Sequence, residues 1–244
     1  MIELHGMSSP NVRKVGILLE EFELDYSLHH VAVFRGDQFD PSFLAISPLG
    51  KVPVLIDRMR GAGRALIESG AILFYLAETY GGFLPTDGMD RYEVMSWVMV
   101  QMASIGPMFG QHNHFRLLGE QADAYAAARY RTQSQRLYRV LDDRLERHEW
   151  LAGNAYSIAD ISTYPWALYL EQHGFDPAQH RSLMRWREMI GGRAAVQRSW
   201  QRFDAAFNEV SQRTRRAATP EQLDRFFGRQ ADTPAADYSS VTKG

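Results

Sequence analysis

A small α/β unit followed by an all-helical one is the fold class this sequence predicts. Three observations lead there. Up to about residue 80, short apolar runs alternate with helical patterns. Tyr80–Gly88 (YGGFLPTDG), with three glycines and a proline, then interrupts the pattern as a linker would. From Met89 to about Phe207 the apolar spacing is helical, without a convincing strand.

The first unit reads β-α-β-(irregular)-β-β-α. Ile2–His5 is a strand, and Val12–Phe22 is a helix because Val15, Leu18, Leu19 and Phe22 share one face. Tyr26–Val33 returns to a strand. Val52–Ile56 and Ala65–Ile67 are two more, separated by the turn-prone Arg60-Gly61-Ala62-Gly63. Ser69–Thr79 is a helix with Ile72, Leu73, Leu76 and Tyr80 spaced for burial. The expected helices of the second unit are Asp90–Phe109, Gln121–His148, Ile158–His173, His180–Gly191 and Arg193–Asn208. The domain reading is therefore 1–80, a linker at 81–88, a helical domain at 89–210 and a tail at 211–244. The tail is poor in apolar residues apart from Leu223, Phe226 and Phe227. It is either frayed or carries a short helix, Pro220–Gly228, docked over a groove.

Composition excludes several classes. With 45% hydrophobic and 23% charged residues among 244, the chain is an ordinary globular one. A formal charge of −2 offers no concentrated basic surface for nucleic acid. No apolar run approaches a membrane span, and Met1-Ile2-Glu3-Leu4-His5 lacks the regions of a signal peptide, so a cytoplasmic protein is expected. The chain has no cysteine, which removes disulfides, thiolate metal sites and a cysteine nucleophile. Any thiol chemistry must use a thiol that the ligand brings. His112 and His114 would face different sides of a helix, and His29 and His30 opposite sides of a strand, so no metal site is expected.

Four stretches bear on chemistry. Val52-Pro53 opens a strand with a residue that cannot donate to the ladder. One reading is an edge strand; the other is a cis bond that turns the Val52 backbone outward to pair with an extended peptide. At Glu68-Ser69, Ser69 reads as an N-cap. The same helix start could hold a carboxylate while Glu68 receives an ammonium, which suits an α-amino-acid head. Gln38, in the loop after the second strand, could add an amide contact. Ser9-Pro10 reads as N-cap plus proline at the first helical position; alternatively Ser9 Oγ, the Asn11 amide and the helix N-terminus stabilise a thiolate. Gln101–Phe115 (QMASIGPMFGQHNHF) contains Gly106-Pro107 and Gly110, which should kink a helix. Its Met102, Met108, Phe109, His114 and Phe115 either pack the core or line a second-substrate pocket. Ser157-Ile158-Ala159-Asp160 is a capping box with Asp in the Glu position, a folding signal.

Together these residues resemble the cytosolic glutathione transferase superfamily, in which a thioredoxin-like domain precedes a helical one. The resemblance covers Met1 to about Phe207 and is nearest to the bacterial Nu class and its relatives, which include glutathione-dependent disulfide-bond reductases and a fungal regulatory protein. It rests on Ser9-Pro10-Asn11, LLEEFELDY (18–26), Gln38-Phe39, ISPLGKVP (46–53), ESGAILFYLAE (68–78), Ile105–Phe115, Gln135-Arg136-Leu137-Tyr138 and YSIADI (156–161). It implies glutathione contacts from Asn11, Gln38, Val52, Pro53, Glu68, Ser69 and Arg129, with Ser9 and Asn11 at the sulfur. Serine stands at position 9 where the class usually has threonine, and Ser8-Ser9-Pro10 also resembles the turn of serine-type classes, so either hydroxyl could face the sulfur. Further implications are a homodimer, one or two glutathiones per subunit as co-substrate, and a small disulfide or electrophile as substrate. The expected function is disulfide reduction by bound glutathione. Aryl β-ether cleavage or electrophile conjugation is the alternative within the enzymes, and a glutathione-binding regulatory protein is the alternative outside them.

Overall fold

The computed structural model describes residues 1–153, 155–230, 232 and 236–242. Four strands, β1 (Ile2–Gly6), β2 (Tyr26–His30), β3 (Val54–Asp57) and β4 (Ala65–Leu66), form one mixed sheet in the order β2-β1-β3-β4. β1 runs parallel to β2, with Leu4 opposite Leu28, and antiparallel to β3, with Leu4 opposite Leu55. Period-two alternation assigns the faces. Ile2 and Leu4 are buried, whereas Glu3 and His5 lie on the other, half-open face.

The helices α1 (Pro10–Glu21) and α3 (Ser69–Tyr80) pack against each other, and their buried residues join Ile2, Leu4 and Leu55 in one core. A four-residue helix, α2 (Pro41–Leu44), brings Phe43 to a smaller cluster with Val31, Val33, Val54 and Ile56. β2 is shorter than the expected Tyr26–Val33. After His30 the Val31 N–H still bonds Gly6 O at 2.8 Å, but Val33 N–H turns back to Val31 O. β3 begins at Val54 rather than Val52, because the Val52–Pro53 bond is cis and Pro53 has no N–H for the ladder.

The remaining helices are α4 (Gly88–Val100), α5 (Gly106–Leu118), α6 (Ala124–Arg147), α7 (Ile158–Ala167), α8 (Arg181–Gly191) and α9 (Ala194–Phe203), followed by α10 (Glu209–Arg216), α11 (Pro220–Phe227) and α12 (Ser239–Thr242). Among the described residues no strand follows β4. The expected Asp90–Phe109 helix is split: a π-helical turn, Gln101–Ile105, separates α4 from α5, whose first turn carries Pro107. α7 ends at Ala167 instead of His173, two residues after Pro165, which lacks the N–H of a continuing helix. At its start the capping box is complete, with Ser157 Oγ accepting from Ala159 N–H and Asp160 accepting from the Ser157 and Leu151 N–H groups and Trp186 Nε1.

α1 lies between the two units. It packs on α3, α7 and α9, and one buried cluster joins Val15, Leu18 and Leu19 to Ile158, Ile161 and Phe203. Ion pairs reinforce the contact. Arg193 forks onto Glu21 at 2.6 and 2.9 Å, while Arg198 and Arg202 both reach Glu20.

Beyond Phe207 the frayed-tail alternative fails for the described residues. α11 starts with a Thr219–Gln222 capping box and ends at Gly228 in the left-handed region, at φ 73°. Leu223, Tyr238 and Val241 form a small buried cluster. Phe226 packs on Phe34 and Phe227 on His114, so α11 bridges the first unit and α5. No helix among the described residues is long and apolar enough to cross a membrane.

Candidate functional site

A cleft of about 140 Å³ opens where the cis Val52–Pro53 bond meets the start of α3. Asn11, Ser47, Leu49, Lys51, Val52, Pro53, Ile67, Glu68, Ser69 and Met102 line it. Strand pairing explains why backbone is on offer: the β1–β3 ladder begins at His5 opposite Val54, so Val52 lies beyond it.

The helix start departs from the expected cap. Ser69 is the first helical residue, and Glu68 occupies the N-cap position with φ 64° and ψ 110°, a left-handed backbone uncommon for a residue with a side chain. Such conformations persist at sites where the surroundings fix them. No side chain caps α3. Its first N–H groups, which helix geometry leaves without intrahelical partners, are therefore open to an anion, and the helix dipole favours one. Glu68 is exposed beside them and Ser69 is buried, with its hydroxyl 3.8 Å from Met102 Sδ.

Asn11, in the first turn of α1, also lines the cleft. Trp166 Nε1 on α7 donates to Asn11 Oδ1 at 3.1 Å, which directs the amide NH₂ away from the indole as a donor. Ser9 is the N-cap of α1 in extended conformation, φ −130° and ψ 156°, yet its hydroxyl makes no capping bond and is free for other use. Ser8 differs, because its Oγ accepts from Arg13 Nη2 at 2.8 Å. Both serines line a neighbouring cavity of about 310 Å³ with Arg13, Leu168, Tyr169 and Trp200, rather than the cleft that holds Asn11.

The other sequence-derived residues are dispersed. Gln38 is buried in a single 3₁₀ turn, and its Oε1 has no hydrogen-bond partner among the described residues. Arg129 is exposed on α6 and does not line the cleft. Phe109, expected on a pocket wall, is instead a core residue: it is fully buried and stacked on Tyr138 at 4.3 Å. The reason is its place on α5, whose inner side meets α6. Met108 is half-buried on the same helix, and His114 packs between Phe115 and Phe227.

Sequence reading missed Lys51 and Lys14, and it assigned Met102 to the core or a second-substrate pocket, whereas Met102 lines this cleft. Lys51 stands in the ISPLGKVP stretch at the cleft edge. Lys14 had a legible signal, for it sits three residues after Asn11 and four before Leu18, a charge on an apolar stripe. It is fully buried, and burial pushes its amine down to about 7, with Glu68 opposing the shift. A further group, Glu3, His5 and His29, gathers potential metal-ligand atoms within 4.8 Å of one another on the open face of the sheet. Arg58 pairs with the Glu3 carboxylate there, and the two imidazoles stack at 4.6 Å.

A model of the glutathione S-transferase N-terminal domain matches residues 4–83, and one of the C-terminal domain matches residues 96–194. The disulfide-bond oxidoreductase YfcG of Escherichia coli is 42% identical over 199 residues, covering 80% of this chain and 93% of that protein. A glutathione transferase family member from Pseudomonas fluorescens, solved with two glutathione bound, is 38% identical with a TM-score of 0.74, covering 81% of this chain and 91% of the other. A glutathione transferase from Pseudomonas putida, with one glutathione disulfide bound per subunit, is 37% identical with a TM-score of 0.75 over 81% and 90%.

Proposed function

The chain belongs to the glutathione S-transferase family, and from that premise we propose that it binds glutathione in the cleft between Asn11 and Ser69 and uses the bound thiolate to reduce disulfides. The observation that carries this is the convergence, in one cleft, of an uncapped helix N-terminus, a carboxylate, an unladdered valine backbone and an oriented amide. Each meets one part of an extended tripeptide. The Ser69 and Gly70 N–H groups take the α-carboxylate of the γ-glutamyl head, and Glu68 takes its ammonium. Val52 pairs with the cysteinyl backbone as an added strand would. The Asn11 amide and the N-terminus of α1 face the sulfur.

Hydrogen bonds to the charged form and a positive helix end lower a thiol pKa from about 8.5 toward neutrality. No general base is required. The thiolate attacks one sulfur of the substrate disulfide, R–S–S–R, giving a glutathione mixed disulfide and releasing RS⁻, which takes up a proton. A second glutathione thiolate then attacks the glutathione sulfur of that mixed disulfide. It leaves as glutathione disulfide, and the second RS⁻ is released and protonated. Two glutathiones are oxidised as one disulfide is reduced. A chain without cysteine cannot hold the mixed disulfide itself, so both thiols come from glutathione. The two tripeptides of the Pseudomonas fluorescens relative support this stoichiometry. A Nu-class, cytoplasmic homodimer in which Arg129 reaches toward a glutathione, its own or that of the partner subunit, belongs to the same reading.

The test is the glutathione-dependent reduction of bis(2-hydroxyethyl) disulfide, followed through glutathione reductase and NADPH. Asn11→Ala removes a hydrogen bond to a charged group, about 1.5–3 kcal/mol, and should lower kcat/KM about 10- to 100-fold. No turnover by the wild type, or an unchanged Asn11→Ala rate, would defeat the mechanism.

A second reading, thioether chemistry on an aryl electrophile, draws on Tyr169 and Trp200 in the cavity beside Ser8 and Ser9. Turnover of a chromogenic β-aryl ether beside the disulfide ranks the two.

A further inference from the structure

Against Met102 of the glutathione cleft lies a buried amine that none of the chemistry above uses. Lys14 is fully buried on α1, one turn after Asn11. Its Nζ donates to Gln101 Oε1 at 2.5 Å and touches Met102 Sδ at 3.3 Å. Both partners are neutral. Among the described residues no carboxylate lies within 4.0 Å of the amine to form an ion pair.

Two features put this group next to the ligand. Met102 lines the cleft with Asn11, Glu68 and Ser69, and its Sδ lies 3.3 Å from Nζ and 3.8 Å from the Ser69 hydroxyl at the start of α3. The packing there is tight: a Cβ on Gly70 would lie 3.0 Å from Met102 Cγ. Gln101 is closely packed too, since a Cβ on Gly106 would lie 3.0 Å from its Nε2. The π-helical turn Gln101–Ile105 brings both side chains to Lys14, and such turns often mark functional sites.

We infer that Lys14 is a positioning residue and a proton-linked counter-charge of the cleft, drawing a proton onto its buried amine when the α-carboxylate of the glutathione head binds at Ser69 and Gly70. The inference rests on the glutathione-binding reading. A buried ammonium with only an amide and a thioether for company lacks a compensating negative charge. An arriving carboxylate supplies one and favours the charged form. The ammonium in return holds Gln101, and through it the π-turn and Met102, against the helix start.

Few other charges compete. Glu68 faces Lys14 from the entry to α3 and already opposes the burial effect. The π-turn presents uncharged Gln101 and Met102. On α1 itself, Arg13 is turned to Asp204 and Trp200. On α7, Asp160 is held in its capping box, and on α9, Arg198 and Arg202 pair with Glu20 at the far end of α1.

The sign of the linkage follows. With the free amine near 7, it is charged in the unliganded protein at pH 6 and largely neutral at pH 8. Binding therefore leaves the proton count unchanged at pH 6 and takes up a proton at pH 8. Affinity falls as pH rises between the free and bound pKa values of the amine, by up to about tenfold per pH unit.

The experiment is isothermal titration calorimetry of the full-length protein with S-hexylglutathione, which has no thiol to titrate, in buffers of different ionisation enthalpy. The wild type should take up about half a proton or more at pH 8 and about none at pH 6. Lys14→Met and Lys14→Arg should both lose the uptake, the first because it has no charge and the second because it always does. Binding by the wild type at pH 8 without proton uptake, or uptake that persists in either variant, overturns the inference and leaves the glutathione reading standing. Absence of binding heat at both pH values overturns both.

Discussion

Asn11 and Trp166 are far apart in sequence, yet the indole N–H fixes which end of the amide faces the cleft. Without it the amide could rotate and present its oxygen to a thiolate, a repulsive arrangement. Trp166→Phe keeps most of the packing and removes the donor. It should lower disulfide reduction about fivefold, the worth of one ordinary hydrogen bond of about 1 kcal/mol, with little change in KM for glutathione. Coupling is the check: in an Asn11→Ala background the same substitution should have no further effect. Additive losses in the double variant would show that Trp166 acts elsewhere. At this scale the sequence was informative where a local rule applied. Strand-proline and helix-start signals marked Val52, Pro53, Glu68 and Ser69, all of which line one cleft. Local rules also erred by one residue, making Ser69 the cap when it is the first helical residue. Lys14 and Met102 were not legible as a pair, because their contact spans 88 positions and depends on how α1 meets the π-turn.

Among the elements, the C-terminal helices have the clearest consequence. Neither family model extends past residue 194, whereas α10, α11 and α12 wrap back over the first unit and α5. His30 meets Ser211, Arg215 donates to Val241 O, and Ser240 donates to Leu117 O. Phe226 and Phe227 therefore lie against the loop that carries Phe34 and the helix that carries His114. The apolar cluster Leu223, Phe226 and Phe227 left a frayed tail and a short docked helix both open, and nothing local said which surface a helix would cover. If this segment forms a wall of the second-substrate region, truncation after Asn208 should change the preference between a bulky aromatic disulfide and a small aliphatic one by about 3- to 10-fold, the scale of one or two aromatic contacts. Phe226→Ala and Phe227→Ala in the full chain provide the same comparison where truncation impairs folding. An unchanged ratio of kcat/KM values in all three would reject a wall role. The π-turn is the second lesson at this scale. Gly106-Pro107 foretold a break, and the chain meets it with a widened turn that keeps α4 and α5 nearly continuous.

Taken whole, the molecule shares one core across both units, with α1 at its centre. The site inherits that arrangement. The helix start and the Val52 backbone come from the first unit, the indole that orients Asn11 from α7, and Met102 from the turn after α4. The order of strands and helices was readable because periodicity changes sharply at the glycine-rich linker. The joining of the units was not, since it depends on side chains from distant helices, such as Arg193 on Glu21. A tripeptide laid along this seam should touch both units at once. The most direct measurement is a crystal structure of the protein with glutathione. The γ-glutamyl carboxylate should lie on the Ser69 and Gly70 N–H groups, its ammonium at Glu68, the cysteinyl backbone paired with Val52, and the sulfur within hydrogen-bond reach of the Asn11 amide. A tripeptide bound elsewhere, or bound in this cleft with its sulfur turned away from Asn11, would contradict this placement.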